Sequence, residues 1–133
     1  MSQDRSSQLI RVLIVDDHPM FADAVSALLT RDGRFDVVGT ATQSDEAVEL
    51  AEREEPNIVL MDLTMPNTDA VDAARRLREA WPRARLIILS GLDEDELERT
   101  AREAGAAAWL SKDEAHTGAA DVIAAVAAGQ HSV

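Results

Sequence analysis

The chain alternates between short runs of consecutive apolar residues and longer stretches in which apolar positions recur three or four residues apart. Val12-Leu13-Ile14-Val15 is an unbroken apolar run, the pattern of a strand buried on both faces. Phe21, Val25, Leu28 and Leu29 then follow the i, i+4, i+7, i+8 spacing of an amphipathic helix. Pro19 stands near its first turn, where the missing N–H costs little, and Asp32-Gly33 marks its end. Val37-Val38 begins a second strand, and Ser44 is placed to cap a helix carrying Ala47, Leu50 and Ala51 that stops before Pro56. Ile58-Val59-Leu60-Met61 is a third strand running directly into Asp62. Ala70, Ala74, Leu77 and Trp81 repeat at helical spacing until Pro82, and Leu86-Ile87-Ile88-Leu89 is a fourth strand running into Ser90. A helix through Leu97, Ala101 and Ala104 ends at Gly105. A short fifth strand, Ala107 to Leu110, leads to Lys112, and the last helix carries Ala119, Val122, Ile123, Val126 and Ala127 before Gly129.

Five such βα units predict an α/β fold: an open, doubly wound parallel sheet with helices on both faces. For five strands the flavodoxin-like order 2-1-3-4-5 is the expected one. In such sheets ligands bind beyond the carboxyl ends of the strands, beside the switch in strand order. Whatever follows each strand therefore belongs to one place.

Composition narrows the function. The 133 residues suffice for one compact domain and contain no cysteine, which removes disulfides, thiol nucleophiles and cysteine metal sites. No apolar run approaches the roughly 20 residues of a membrane-spanning helix, and polar Met1 to Gln8 does not resemble a secretory signal. No membrane association and a cytoplasmic location are expected. Thirteen basic residues against 25 acidic ones give a net charge of -12, the reverse of the basic footprint by which nucleic acid is bound. No direct nucleic-acid contact by this chain is expected. Lys112 is the only lysine beside twelve arginines; chance explains this as well as a task suited to a compact ammonium.

The first strand is followed by Asp16 and Asp17, the third by Asp62, the fourth by Ser90 and the fifth by Lys112. Each has an ordinary reading: helix cap, turn residue or surface charge. Three acids and one base at the ends of strands in one sheet are harder to explain that way. Crowded carboxylates raise one another's pKa unless a cation is present, and Mg²⁺ binds through one or two carboxylates plus phosphate oxygens and water. An aspartate can attack phosphorus to give an acyl phosphate, with positioning and charge neutralisation as the main requirements.

Val-Asp-Asp-His at 15–18, Met-Asp-Leu-Thr-Met-Pro at 61–66, Leu-Ser-Gly at 89–91 and Trp-Leu-Ser-Lys-Asp at 109–113 form an ordered set. It resembles the receiver domains of two-component response regulators over essentially Arg11 to Gly129. The Asp-Asp-His opening and the Lys-Asp pair resemble the NarL/LuxR-type subfamily. The resemblance implies Asp62 as phosphoacceptor, Asp17 as direct Mg²⁺ ligand, Asp16 acting on the metal through water, and the Thr64 backbone carbonyl as a further ligand. It implies Ser90 as switch hydroxyl, Lys112 contacting the phosphoryl group, and Trp109 at the aromatic switch position, where an ordinary core aromatic is the alternative. The Thr64 side chain matches a position that tunes the acyl phosphate's lifetime. Three residues depart from the family pattern. Ala70 stands where glycine is usual, so a strained φ there would be costly. Trp109 replaces tyrosine or phenylalanine, and Asp113 replaces proline, so the cis peptide common there is not assumed, at about 2.5–4 kcal/mol for a non-proline bond.

The domain expectation is a disordered tail over 1–9, a receiver domain over 10–130, and the start of a linker or the C-terminal end at 131–133. The expected function is a phosphorylation-switched signalling domain that takes a phosphoryl group from a sensor histidine kinase and controls transcription. It would not be a conventional enzyme, although such domains catalyse their own phosphorylation and hydrolysis. DNA would be reached only through a helix-turn-helix domain outside these residues, and the apolar last helix hints at a homodimer. Two alternatives remain: a receiver-fold interaction module that works without phosphorylation, and a Mg²⁺-dependent phosphohydrolase with His18 as the nearby candidate acid.

Overall fold

The computed structural model of the chain describes residues 9–65, 69–91 and 93–129, without the side chains of Glu94 and His116. Residues 1–8 of the expected tail, Pro66 of the second motif and the expected linker start at 131–133 lie outside the described residues. Ten elements alternate: β1 (Ile10–Val15), α1 (Pro19–Asp32), β2 (Phe35–Ala41), α2 (Ser44–Glu54), β3 (Ile58–Asp62), α3 (Ala70–Ala80), β4 (Arg85–Ser90), α4 (Glu94–Ala104), β5 (Ala108–Ser111) and α5 (Lys112–Ala127). Every strand pair is parallel and the order is β2-β1-β3-β4-β5, as the pattern predicts.

The unbroken apolar runs are explained by two cores, one on each face of the sheet. Successive strand residues point to opposite faces. Val12, Ile14, Ile58, Leu60, Ile87 and Leu89 join Val25 and Leu29 of α1 and Ile123 and Val126 of α5. Their neighbours Leu13, Val15, Val59, Met61, Leu86 and Ile88 join α2, α3 and α4 through Ala51, Leu77 and Leu97. Each fully buried leucine or isoleucine contributes about 1.5–3 kcal/mol relative to exposure, so the central strands are held from both sides. Only their ends are left to carry chemistry.

Helix ends follow the sequence in most places. Pro19 opens α1, and Gly33 closes it with φ 93°. Gly105 closes α4 with φ 74°. A Cβ at Gly105 would also collide with the Arg78 guanidinium, which donates to the Ala104 carbonyl at 2.8 Å. Three boundaries need correction. Ser44 does not cap α2: the cap position is Gln43, without a side-chain bond. The Glu46 carboxylate instead accepts from the Thr42 N–H at 2.9 Å, and the Ser44 hydroxyl accepts from Arg76 at 3.3 Å. The second strand begins at Phe35 rather than Val37. The fifth runs from Ala108 to Ser111 and passes into α5 without a loop, so Lys112 is the first residue of that helix.

Candidate functional site

Parallel order brings the carboxyl ends of β1, β3, β4 and β5 together, and the expected residues meet there. Asp16, Asp62 and Ser90 are fully buried, the only buried polar or charged residues among those described. The hydroxyl-bearing Ser90 ends β4, in register with Ser111 of β5 and one position beyond Leu89, which pairs with Asp62. Asp17 is partly exposed beside them.

The buried carboxylates use their two oxygens differently. Asp16 Oδ1 accepts from the His18 backbone N–H at 2.8 Å, and Asp62 Oδ1 accepts from the Thr64 N–H at 3.0 Å and its hydroxyl at 2.9 Å. These are local turns two residues long, the kind aspartate favours. The second oxygens face each other's surroundings instead. Lys112 Nζ, reaching back from the start of α5, lies 3.2 Å from Asp62 Oδ2 and 3.4 Å from Asp16 Oδ2.

His18 is more central than its sequence position suggests. Its Nδ1 lies 2.9 Å from Asp16 Oδ1, 3.2 Å from Asp17 Oδ1 and 3.4 Å from Asp62 Oδ2. The same nitrogen is 3.2 Å from Lys112 Nζ. The hydrogen bond to Asp16 raises the imidazole pKa of this exposed residue despite the opposing Lys112 charge. For Asp62, burial alone would raise the carboxyl pKa. The two Thr64 bonds and the Lys112 ammonium outweigh burial, so the group titrates below the ordinary carboxylate range.

This donor set fits a hard divalent cation. Asp16, Asp17, His18 and Asp62 each offer a ligand atom, all within 4.8 Å of one another. Among the described residues, Asp16 Oδ2 and Asp17 Oδ1 are buried side-chain atoms that accept no hydrogen bond. Buried carboxylate oxygens left so are costly, and a cation with oxygen ligands satisfies them.

Other expected residues are placed less decisively. Thr64 is exposed and bound to Asp62 through its amide and hydroxyl. Trp109 is half-buried, opposite Ile88 in the sheet and packed against the core formed with α2, α3 and α4. Ala70 opens α3 behind Asp69, whose side chain caps Val71 and Asp72. Glu55 is the one described non-glycine residue with positive φ, so Ala70 needs no glycine conformation. No described peptide bond, that after Lys112 included, is cis. Sequence reasoning did not assign a role to Phe21, whose ring centroid lies 4.6 Å from Lys112 Nζ. The signal available for it was its position four residues after Asp17.

Comparisons with known proteins give the family of the chain. The family profile described as "Response regulator receiver domain" matches residues 12–126. The nitrate/nitrite response regulator protein NarL of Escherichia coli is 34% identical over 102 residues, covering 77% of this chain and 47% of that protein. The transcriptional regulatory protein MctR of Rhizobium johnstonii is 34% identical over 120 residues, covering 90% and 56%. The chain thus spans about half the length of the curated relatives it matches. Among solved structures, the signal receiver domain of NarL from Mycobacterium tuberculosis superposes with a TM-score of 0.84 at 32% identity, over 92% of this chain and 99% of that one. A LuxR-family two-component response regulator from Aurantimonas gives 0.86 at 30% identity, over 94% and 89%. With the strand order, the buried acids at its carboxyl edge and the profile match in agreement, the chain belongs to the response regulator receiver domain family.

Proposed function

We propose that this chain is a phosphorylation switch in which Asp62 accepts a phosphoryl group from the phosphohistidine of a sensor kinase. The observation that carries the reading is the setting of Asp62. It is a fully buried carboxylate at a strand end, kept ionised by Thr64 and Lys112, beside two further acids with unsatisfied oxygens. An oxygen of Asp62 forms the new O–P bond as the P–N bond of the donor breaks, and the leaving imidazole nitrogen takes up a proton. Asp17 and Asp62 would hold Mg²⁺ directly, Asp16 through water, and the Thr64 carbonyl would complete the protein ligands. When bound, the ion neutralises charge on the phosphoryl oxygens.

Lys112 stands 3.2 Å from Asp62 Oδ2 and would pair with a phosphoryl oxygen after transfer. Ser90, buried at the end of the neighbouring strand, would supply the hydroxyl that reports the modification. Trp109 would transmit it. The name of the transcriptional regulatory protein MctR supports a transcriptional output; DNA would then be contacted by a helix-turn-helix domain outside these residues, and phosphorylation would favour a homodimer. No described helix is long and apolar enough to cross a membrane, and a cytoplasmic kinase–regulator pair fits the proposed chemistry.

The test is incubation with acetyl phosphate and Mg²⁺ followed by intact mass measurement beside an Asp62→Asn variant. The parent should gain one acid-stable, base-labile phosphoryl group. The variant should gain none, and neither should the parent without Mg²⁺. Absence of the gain in the parent, where an established receiver is modified, overturns the reading.

A further inference from the structure

We propose that Phe21 is the positioning residue for Lys112, holding the ammonium over its ring face so that it stays at Asp62; the inference rests on the phosphorylation reading. Lys112 carries its charge on a flexible four-carbon stem into a crowded anionic setting. Its Nζ has Asp62 Oδ2 at 3.2 Å, Asp16 Oδ2 at 3.4 Å and His18 Nδ1 at 3.2 Å. Of the two carboxylates only Asp62 accepts a hydrogen bond from Nζ, but Asp16 Oδ2 lies within ion-pair distance and competes for the charge. Phe21 supplies a wall of a different kind. Its ring centroid is 4.6 Å from Nζ, inside the range where the negative face of an aromatic ring attracts a cation.

The placement follows from the fold. Phe21 lies in the first turns of α1, three residues after His18, so the chain segment that contributes Asp16 and Asp17 also delivers the ring. Lys112 opens α5, and its backbone is fixed by the capping box of Ser111 and Glu114. Helices α1 and α5 share one face of the sheet, which sets ring and ammonium side by side. Phe21 is half-buried against that core, so the ring is anchored. The ring is uncharged and offers no oxygen or nitrogen acceptor for the hydrogens of the ammonium. It can hold the ammonium without competing for what the ammonium must meet, whether Asp62 presents a carboxylate or an acyl phosphate.

Because Lys112 is the only lysine, isotopically labelled lysine gives one ε-methylene resonance, and a ring face above it shifts that resonance upfield. The full chain would be compared with Phe21→Leu, Phe21→Tyr and a chain carrying trifluorinated phenylalanine at position 21 alone, which keeps the shape of the ring and weakens its face. Acyl phosphate formation from acetyl phosphate and Mg²⁺ is the second readout. The leucine variant should lose the upfield shift and react about three- to tenfold more slowly, the range expected of a partly screened cation–ring contact. Tyrosine should retain both properties within about twofold, and the fluorinated ring should slow the reaction as leucine does. An unshifted parent resonance overturns the proposal, and so does a fluorinated chain that reacts at the parental rate. The fluorinated chain decides the matter if leucine prevents folding. A parent that takes no phosphoryl group overturns the phosphorylation reading instead, and the resonance then still reports where the ammonium sits.

Discussion

Asp62 divides two tasks between its two oxygens. Oδ1 is tied down by the amide and hydroxyl of Thr64 at 3.0 and 2.9 Å, and Oδ2 faces Lys112. Burial works against ionisation, and these partners overcome it, so the folded-state pKa lies below the ordinary value. A carboxyl group depressed in this way stabilises the fold fully above its unfolded pKa of about 3.9. That contribution is lost as pH falls from there through the folded value. Thr64→Ala removes the hydroxyl donor and leaves the amide, so the folded pKa should rise toward the unfolded one. The acid-side loss of stability should then be smaller and complete at a higher pH. Titrating the Asp62 carboxyl carbon in metal-free buffer, beside denaturation from pH 6 to about 2.5, checks this; an unchanged or lower Asp62 midpoint would refute it. The convergence of Asp16, Asp17, Asp62, Ser90 and Lys112 was legible in the sequence because each ends or follows a strand of a parallel sheet. Which oxygen meets which donor was not, since that depends on two-residue turns. The meeting of Phe21 and Lys112 depends on α1 and α5 sharing a face, which hydrophobic spacing leaves open.

At the scale of elements, the start of α5 links folding to the site. The Ser111 hydroxyl accepts from the Glu114 N–H at 3.2 Å, and the Glu114 carboxylate accepts from the Ser111 N–H at 3.3 Å. This reciprocal pair satisfies two donors at the helix entry, immediately before the lysine that must reach Asp62. Ser111→Ala should cost about 1 kcal/mol of stability, read as a lower urea midpoint with unchanged slope. Ser111→Asp should recover most of it, because aspartate accepts the same N–H. Equal midpoints for parent and alanine variant would show that the cap carries no weight. The helix was legible from Ala119, Ile123 and Val126, but its start was not. Ala106-Ala107-Ala108 has no period that separates strand from helix, and no turn residue intervenes before Lys112. The ends of α1 and α4 were legible because Gly33 and Gly105 adopt the positive φ that closes a helix. Ser44 misled because the helix begins at that residue, one position after its cap Gln43, and its hydroxyl accepts from Arg76 of α3 instead.

For the whole molecule, two apolar cores immobilise five strands while a net charge of -12 works against compactness. The sharpest part of that repulsion is at the strand ends, where Asp16, Asp17 and Asp62 stand within ligand distance of one another. A cation that binds there stabilises the folded chain by mass action. At about ten times its dissociation constant the gain is about 1.4 kcal/mol. For a domain of this size that is about 3–6 °C in the thermal midpoint. General screening of surface acids by salt also raises the midpoint, so the comparison must be made against sodium chloride of equal ionic strength. Mg²⁺ should exceed that control in the parent. Asp17→Asn should start from a higher midpoint without metal, because one of three crowded charges is gone, and should lose the Mg²⁺-specific gain. A parent that responds equally to Mg²⁺ and matched sodium chloride would mean that the three acids hold no cation and are relieved by His18 and Lys112 alone.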